Sequence, residues 1–138
     1  MTFEELGLKS EVLKSLEELG FSTPTPIQQE AIPHLLGEES DFVGLAQTGT
    51  GKTAAFGLPL VNRIDTTMKV PQGLVICPTR ELCLQITKDL QQFSKHLKVN
   101  VVAVYGGTDI RAQIKDIKRG VNVIVALSLI HISEPTRL

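Results

Sequence analysis

The sequence predicts an α/β fold in which a parallel sheet carries helices on both faces. Short apolar runs alternate along the chain with segments whose apolar residues recur at helical spacing. The runs are continuously apolar instead of alternating, which is typical of parallel strands that are buried on both faces. With 138 residues, the chain has room for one domain.

The first two segments are helical. Apolar positions at helical spacing predict a helix over Ser10–Leu19, which Gly20 ends. A second helix begins at Thr25–Pro26 and runs to Leu36. Because Pro33 removes one backbone hydrogen bond, we expect this second helix to be short or kinked.

Strands and helices then alternate. Four strands are predicted, at Phe42–Ala46, Gly73–Cys77, Val99–Tyr105 and Val121–Ala126. One helix opens near Lys52, after the first of these strands. The next carries an apolar stripe at Leu82, Ile86, Leu90, Phe93 and Leu97. The last carries Ile110, Ile114 and Ile117 and ends at Gly120.

Composition excludes several classes of function. No apolar run approaches the roughly 18 residues of a membrane span, and no signal peptide is visible, so we expect a cytoplasmic protein without a membrane partner. Cys77 and Cys83 match no zinc, haem or disulfide framework, and we expect both to be small buried residues. Residues 1–69 hold five basic and ten acidic side chains, whereas residues 70–138 hold nine and five. An anionic partner would therefore meet the second half.

The segment from Ala46 to Thr53 indicates nucleotide binding. It follows a predicted strand and opens a predicted helix, which is the context of a phosphate-binding loop. Its glycines let consecutive N–H groups point at one anion, at a helix N-terminus that favours negative charge. Lys52 can reach the β- and γ-phosphates, and the Thr53 hydroxyl can complete the shell of a bridging Mg²⁺ ion. The candidate contacts are Ala46, Gln47, Thr48, Gly49, Thr50, Gly51, Lys52 and Thr53.

A plain strand-to-helix turn is the competing interpretation of this loop. Glycines would suffice for such a turn, but Lys52 would not be expected in it. The helix dipole disfavours a cation in the first turn by about 0.3–1 kcal/mol, so Asp or Glu would be preferred there. Nucleotide binding is therefore the stronger hypothesis.

Two interpretations of Gln28 remain open on local grounds. Thr25 and Gln28 fit a capping box at the start of the second helix, with Pro26 between them. The Gln28 amide also offers a donor and an acceptor side by side, which match the N6 and N7 edge of adenine. The two roles compete for the same side chain.

A second group of candidates follows the strands of the second half. Pro78, Thr79 and Arg80 lie where a strand ends and a helix begins, at the carboxyl edge of the sheet, where ligands bind in such folds. Thr79 fits a helix cap, whereas Arg80 is a cation that the helix dipole disfavours and suits a phosphate oxygen. Gly106 and Gly107 would permit close approach of a sugar–phosphate chain, although two glycines after a strand are more often a simple turn.

These segments resemble those of one family. Phe21–Gln28, Ala46–Thr53, Pro78–Leu82 and Gly106–Gly107 occur in the order and spacing of the DEAD-box RNA helicases, and the chain resembles the bacterial members over residues 1–126. The resemblance implies a RecA-like P-loop NTPase domain with ATP and Mg²⁺ as cofactors. It implies an ATP-dependent RNA helicase that unwinds short duplexes and grips the RNA backbone with little sequence preference. The choice of RNA over DNA rests on this resemblance alone.

The resemblance also assigns roles to residues. It implies that Gln28 reads adenine, that Phe21 packs on the base, and that Phe3 supports this segment. Thr25 joins the ATP-binding residues, and Lys52 and Thr53 serve ATP hydrolysis. The residues implied to hold RNA are Pro78, Thr79, Arg80, Gly106 and Gly107.

The sequence departs from the family pattern after Ala126. Residues 127–138 resemble the translation of a sequencing adapter, so we expect a tail that is not native, after a Q-motif region over 1–36 and part of the RecA-like domain over 37–126. The Asp-Glu-Ala-Asp motif is absent, so we expect this chain alone to lack ATPase activity and to be poorly soluble. A non-catalytic nucleotide- or RNA-binding module and another P-loop NTPase are the alternatives.

Overall fold

A computed structural model of the chain describes residues 1–37, 51–105, 115 and 117–127. Two compact units are present: the first comprises residues 1–64 and 92–98, and the second comprises the remaining described residues. After a short 3-10 turn at Glu4–Leu6, the elements in chain order are α1 Ser10–Glu18, α2 Pro26–Gly37, α3 Lys52–Asn62, β1 Gly73–Cys77, α4 Arg80–Phe93, β2 Val101–Val104 and β3 Val123–Leu127.

The first unit is helical, and α2 packs on α3 within it. The α2 helix continues through Pro33 and spans twelve residues, so the proline does not end it. Gly20, with φ 84°, follows α1 as predicted, because only glycine adopts that conformation without strain. The apolar core of this unit includes Val12, Leu16, Ile32, Leu58 and Val61.

A polar contact joins α1 to the segment that follows α4. The Nε2 atom of His96 lies 2.8 Å from Glu18 Oε1, and the Lys95 ammonium lies 3.5 Å from the same oxygen. The hydrogen bond with His96 holds the pKa of the Glu18 carboxyl below its ordinary value. Glu18, Lys95 and His96 all belong to the first unit. These contacts therefore hold the turn that follows Phe93, the last residue of α4, against α1.

The second unit contains a parallel sheet with the strand order β1-β3-β2. The central β3 pairs Val125 with Val75 of β1 and with Ala103 of β2. The predicted α/β class and the parallel pairing are therefore confirmed. The predicted strand at Phe42–Ala46 lies outside the described residues.

The two sides of β1 differ in their exposure to solvent. Leu74 is 62% exposed and Ile76 is 63% exposed, whereas Cys77 is 1% exposed. Because successive strand residues point to opposite faces, one face of β1 is open in this structure. A run of apolar residues indicates what a strand could bury, but a neighbouring element has to be present to bury it.

The apolar stripe of α4 differs from the predicted one at its first position. Leu82 is 40% exposed, whereas Cys83 is fully buried and its thiol donates to the carbonyl oxygen of Val125 in β3 at 3.3 Å. Ile86 and Leu90 are buried as predicted. The helix begins at Arg80, and this start places Cys83 and not Leu82 over the sheet.

Side-chain amides fix the amino ends of β2 and β3. The buried Asn122 accepts a hydrogen bond from Asn100 N at 2.9 Å and donates to Met68 O at 3.0 Å. These hydrogen bonds lie before the first paired residues of the sheet. β2 begins at Val101 and ends at Val104, so it is shorter than the predicted strand Val99–Tyr105. The helix predicted before β3 is described only near its end, where Lys118 is helical and Gly120, with φ 107°, lies in the turn that follows, as predicted. Ile110 and Ile114 lie outside the described residues.

Candidate functional site

The start of α2 contains the predicted capping box. The backbone N–H of Thr25 donates to Gln28 Oε1 at 2.9 Å, and the backbone N–H of Gln28 donates to Thr25 Oγ1 at 3.4 Å. This reciprocal pair satisfies N–H groups that the helix itself cannot pair. Gln28 is 2% exposed, so its side chain is held in a buried position.

The same Gln28 amide also contacts Gly51, the last glycine of the predicted phosphate-binding loop. Gln28 Nε2 donates to the Gly51 carbonyl oxygen at 3.3 Å, across 23 positions of sequence. The capping role and the loop contact therefore use different atoms of one side chain. They coexist, because Oε1 and Nε2 can each take part in two hydrogen bonds.

Gly51 has no room for a side chain. Its φ is 85°, a value that side-chain-bearing residues rarely adopt. A Cβ atom there would overlap Gln28 Nε2 and lie 3.2 Å from Thr25 Oγ1. Backbone conformation and close packing therefore both require glycine, and this requirement links the Gln28 segment to the start of α3.

The α3 helix begins at Lys52, and its N-terminus is the predicted phosphate-binding end. Its first turn contains no acidic residue, and no side-chain hydrogen bond caps its N-terminus at Gly51. Lys52 is exposed and Thr53 is half-buried. Because a helix N-terminus carries partial positive charge, the described part of this end fits an anion better than a cation. The predicted contacts Ala46, Gln47, Thr48, Gly49 and Thr50 lie outside the described residues.

Phe21 is held between two other aromatic rings. Its ring centroid lies 6.1 Å from that of Phe3 and 6.0 Å from that of Phe93, the latter in an edge-to-face arrangement. The backbone N–H of Phe21 donates to Leu16 O at 2.9 Å, just after the turn at Gly20. Phe3 thus supports Phe21 by contact. Phe93 was missed by the sequence analysis, because its place in the α4 stripe indicated only a core residue.

The turn between β1 and α4 positions the second group of candidates. Thr79 Oγ1 accepts a hydrogen bond from Leu82 N at 3.1 Å, so Thr79 caps α4 as its sequence position suggested. Pro78, Thr79 and Arg80 are all exposed. Gly106 and Gly107 lie outside the described residues.

Arg80 stacks on an aromatic ring that the sequence analysis did not assign to the site. The guanidinium carbon lies 4.7 Å from the centroid of the Tyr105 ring, which is within cation–π distance. Arg80 follows β1 and Tyr105 follows β2, and both strands run parallel to β3, so their carboxyl ends meet at one edge of the sheet. The order β1-β3-β2 was the missing information, since the sequence does not show that β1 and β2 flank the same strand.

The structure therefore groups the candidates in two places. The first unit contains Phe21, Thr25, Gln28, Gly51, Lys52 and Thr53. The second contains Pro78, Thr79 and Arg80. Among the described residues, no group of three or more His, Cys, Asp or Glu side chains could hold a metal ion. None of the described helices is long and apolar enough to cross a bilayer.

Comparison with known proteins identifies similar sequences over most of the chain. A family model described as DEAD/DEAH box helicase matches residues 25–133, which continues beyond Ala126. The chain is 51% identical over 124 residues to the DEAD-box ATP-dependent RNA helicase CshA of Bacillus cereus. It is 50% identical over 125 residues to the ATP-dependent RNA helicase DeaD of Escherichia coli.

These alignments cover much more of this chain than of its relatives. They include 90% of this chain but 23% of the Bacillus protein and 20% of the Escherichia protein, so the chain spans about a fifth to a quarter of their length. A crystal structure of a DEAD box protein from the hyperthermophile Methanococcus jannaschii matches with a TM-score of 0.84 and 34% identity. That match covers 100% of this chain and 38% of the other.

Proposed function

The chain belongs to the DEAD/DEAH box helicase family, and on this premise we propose that it provides the ATP-binding surface and part of the RNA-binding surface of an ATP-dependent RNA helicase. The whole enzyme would open short RNA duplexes at the expense of ATP. One observation carries the proposal: the Gln28 amide is bonded both to Thr25 and to Gly51, which precedes the phosphate-binding helix. The side chain proposed to read the base is thereby bonded to the residue before the helix proposed to bind the phosphates.

Gln28 would select adenine by its remaining hydrogen-bonding capacity. After the bonds to Thr25 and Gly51, one lone pair of Oε1 and one hydrogen of Nε2 remain for the N6 donor and N7 acceptor of adenine. Guanine presents the acceptor O6 instead of a donor and would face Oε1. Because Gln28 is 2% exposed, such a mismatch would leave two buried acceptors unpaired, which costs about 1–3 kcal/mol.

The start of α3 would hold the phosphates. Its uncapped N-terminus and the exposed Lys52 fit the negative charge of a triphosphate. Thr53 is the residue that would hold Mg²⁺, which supplies charge neutralisation between the β- and γ-phosphates when it is bound. Phe21, fixed by Phe3 and Phe93, would pack on the base.

Arg80, Thr79 and Pro78 would bind the RNA backbone. A guanidinium held over the Tyr105 ring by this cation–π contact would present its remaining N–H groups to phosphate oxygens. Stacking also limits the conformations of the long side chain, which lowers the entropy that binding removes. Contacts of this kind position the nucleic acid without reading its sequence, and Gly106 and Gly107 would extend them.

The proposal includes the behaviour of the 138-residue chain on its own. We expect it to bind nucleotide without hydrolysing it, since charge stabilisation and water positioning would come from the remaining parts of a full-length helicase. The exposed Leu74 and Ile76 support the expectation of poor solubility. Two free buried thiols are consistent with a reducing, cytoplasmic location.

Nucleotide preference tests the proposal most directly. We expect the 138-residue chain to bind a fluorescent ATP analogue more tightly than the matching GTP analogue, by about tenfold or more for one mispaired buried group. Gln28→Ala should remove most of this preference. Gln85→Ala is the matched control, because Gln85 is an exposed glutamine that bonds to Asp89 on α4.

The outcome separates this function from its alternatives. Equal affinity for ATP and GTP in the unmodified chain would contradict the adenine-reading role and favour another P-loop NTPase. Tight nucleotide binding without any affinity for single-stranded RNA would favour a nucleotide-binding module. Circular dichroism of each variant checks that a lost preference is not lost folding.

A further inference from the structure

The ring of Phe21 is held by its neighbours, and part of it stays open to a ligand. Its centroid lies 6.1 Å from that of Phe3 and 6.0 Å from that of Phe93, with 82° between the planes of the Phe21 and Phe93 rings. The Phe21 side chain is half-buried and lines a cavity of about 500 Å³ together with Leu13 and Leu16 of α1. A ligand that packs on Phe21 therefore meets a ring whose orientation its neighbours set.

Phe93 reaches Phe21 from a segment that is tied back to α1. This segment, Gln92–Lys98, belongs to the first unit, as do α1 and Phe21. Oε1 of Glu18, the last residue of α1, lies 2.8 Å from His96 Nε2 and 3.5 Å from the Lys95 ammonium. His96 can donate from Nε2 to the carboxylate both as a neutral ring and as a cation, so the contact does not require a charged ring.

These contacts form a closed circuit around Phe21. The backbone N–H of Phe21 donates to Leu16 O in α1 at 2.9 Å. Two residues further along α1, Glu18 contacts His96. His96 lies three residues after Phe93, whose ring returns to that of Phe21. Because the circuit is closed, the Phe21 ring cannot change its position without disturbing α1 or the segment that carries Phe93.

We propose that the contact between Glu18 and His96 positions Phe21 for the nucleotide base, with Phe93 as the residue that connects the two. The inference rests on the function proposed above for Phe21, and it extends that function to residues outside the predicted nucleotide contacts. Packing between a ring and a base depends on orientation, because aromatic pairs prefer particular offsets and angles. A ring that is fixed before binding also loses less conformational entropy when the base arrives.

The competing interpretation is that Phe93 and Glu18 only stabilise the fold. Phe93 is buried and lies on the apolar stripe of α4, which by itself indicates a core residue. The two interpretations differ in the part of ATP that they affect. A positioning role acts on the base, whereas lost folding weakens the binding of base and phosphates alike.

A comparison of ATP with inorganic tripolyphosphate, which has no base, separates the two interpretations. Displacement of a fluorescent ATP analogue from the 138-residue chain measures both affinities. We expect Phe93→Leu to weaken ATP binding about fivefold, as for the loss of one aromatic pair, with the affinity for tripolyphosphate unchanged. Glu18→Ala should weaken ATP binding about threefold, as for one exposed polar contact, again without an effect on tripolyphosphate. Equal losses for both ligands would overturn the proposal.

Two substitutions in the first unit serve as controls. Glu11→Ala removes an exposed glutamate of α1 that accepts a hydrogen bond from Ser10 Oγ at 3.1 Å, and it should leave both affinities unchanged. Ile32→Val removes one methyl group from the core of α2 and should change both affinities by the same factor. A loss of affinity for ATP alone in either control would contradict the proposal, because any disturbance of the unit would then have the same effect.

A double-substitution cycle tests whether Glu18 acts through Phe93. If it does, the variant with both Glu18→Ala and Phe93→Leu should bind ATP about fivefold more weakly than the unmodified chain, as Phe93→Leu does alone. Independent effects would multiply to about fifteenfold, and that result would exclude the connection through Phe93. Glu18→Gln keeps an oxygen acceptor at the same place, so it should recover part of the ATP affinity that Glu18→Ala loses.

Fluorine NMR reports the position of Phe21 without any ligand. The sequence contains five phenylalanines, so uniform labelling with 4-fluorophenylalanine gives few resonances, and Phe21→Leu identifies the one that comes from Phe21. We expect this resonance to shift in Glu18→Ala and to keep its position in Glu11→Ala. An unchanged Phe21 resonance in Glu18→Ala would overturn the proposal.

The positioning proposal and the function on which it rests can fail separately. If Phe21→Leu leaves the ratio of the ATP and tripolyphosphate affinities unchanged, Phe21 does not pack on the base, and both proposals for this ring are wrong. We expect Phe21→Leu to weaken ATP binding alone, by about tenfold, as for the loss of one ring that packs on a base. If it does so while Glu18→Ala and Phe93→Leu bind ATP like the unmodified chain, only the positioning proposal is wrong.

Discussion

Gln28 and Arg80 each carry a proposed recognition group, and the structure holds them in different ways. Gln28 is buried and bonded at both ends of its amide, to Thr25 in its own helix and to Gly51 across the unit. Arg80 is exposed, and its guanidinium lies over the face of the Tyr105 ring. The Gln28 amide is part of the packed interior of the first unit, whereas the Arg80 guanidinium lies on the surface of the second unit.

This difference determines how function and stability are coupled. A change near Gln28 alters hydrogen bonds that hold α2 against the start of α3, so folding and nucleotide binding should change together. A change at Arg80 removes a surface interaction and should alter RNA binding with little effect on folding. The following substitutions test this contrast, from the largest expected effect to the smallest.

Gly51→Ala should have the largest effect. It places a side chain at φ 85° and forces Gln28 to move, so we expect a loss of about 3 kcal/mol of unfolding free energy and a loss of measurable ATP binding. Urea denaturation and nucleotide titration measure the two effects.

Gly20→Ala is the matched control for backbone strain. Gly20 has nearly the same φ, 84°, but nothing lies within 4 Å of a Cβ atom there. We expect a loss of about 1 kcal/mol with ATP affinity retained. If both variants lose the same stability, the contact between Gly51 and Gln28 has no energetic importance and the coupling argued above is wrong.

Lys52→Ala should separate binding from folding within the nucleotide region. Removing the ammonium should weaken ATP binding about thirtyfold, as for one strong charge-assisted contact. Unfolding free energy should stay constant or rise by about 0.5 kcal/mol, because a cation at a helix N-terminus is unfavourable. Lys88→Ala, at an exposed position of α4, should change neither quantity. Undiminished ATP affinity in Lys52→Ala would contradict the phosphate-binding role of α3.

The sequence was informative where structure is local. The capping box at Thr25 and Gln28, the cap at Thr79 and the glycine after α1 each follow from residues within one turn of one another, and each is present. Periodicity predicted α4 and most of its buried face, but it assigned Leu82 to that face where Cys83 is the buried residue. That face depends on where the helix begins relative to the sheet, which periodicity alone does not specify.

Contacts between distant segments were not predictable in this way. The stacking of Arg80 on Tyr105 requires the strand order, and the bond from Gln28 to Gly51 requires the packing of α2 on α3.

Arg80→Ala should weaken binding of single-stranded RNA about tenfold and reduce the dependence of log affinity on log salt by roughly 0.7. Unfolding free energy should change by less than about 0.5 kcal/mol, since the side chain is exposed. Arg80→Lys should restore only part of the RNA affinity, because an ammonium neither stacks on an aromatic ring nor forms the bidentate hydrogen bonds of a guanidinium. Tyr105→Phe should preserve affinity and Tyr105→Leu should lower it about threefold, since the ring face carries the interaction. A salt dependence that stays the same in Arg80→Ala would show that Arg80 contacts no phosphate.

Thr79→Val should have the smallest effect on RNA affinity, and it tests whether the turn proposed to bind RNA is separable from its helix. Valine keeps the shape of threonine but cannot accept the hydrogen bond from Leu82 N, so we expect a loss of about 1 kcal/mol of unfolding free energy. Thr79→Ser, which retains the hydroxyl, should restore that stability. RNA affinity should fall about threefold in Thr79→Val, because a frayed first turn no longer holds Arg80 over Tyr105. Full RNA affinity at reduced stability would instead mean that Tyr105 alone positions the Arg80 guanidinium. Binding at Arg80 would then be independent of local folding, in still stronger contrast to the expected coupling of folding and binding at Gln28.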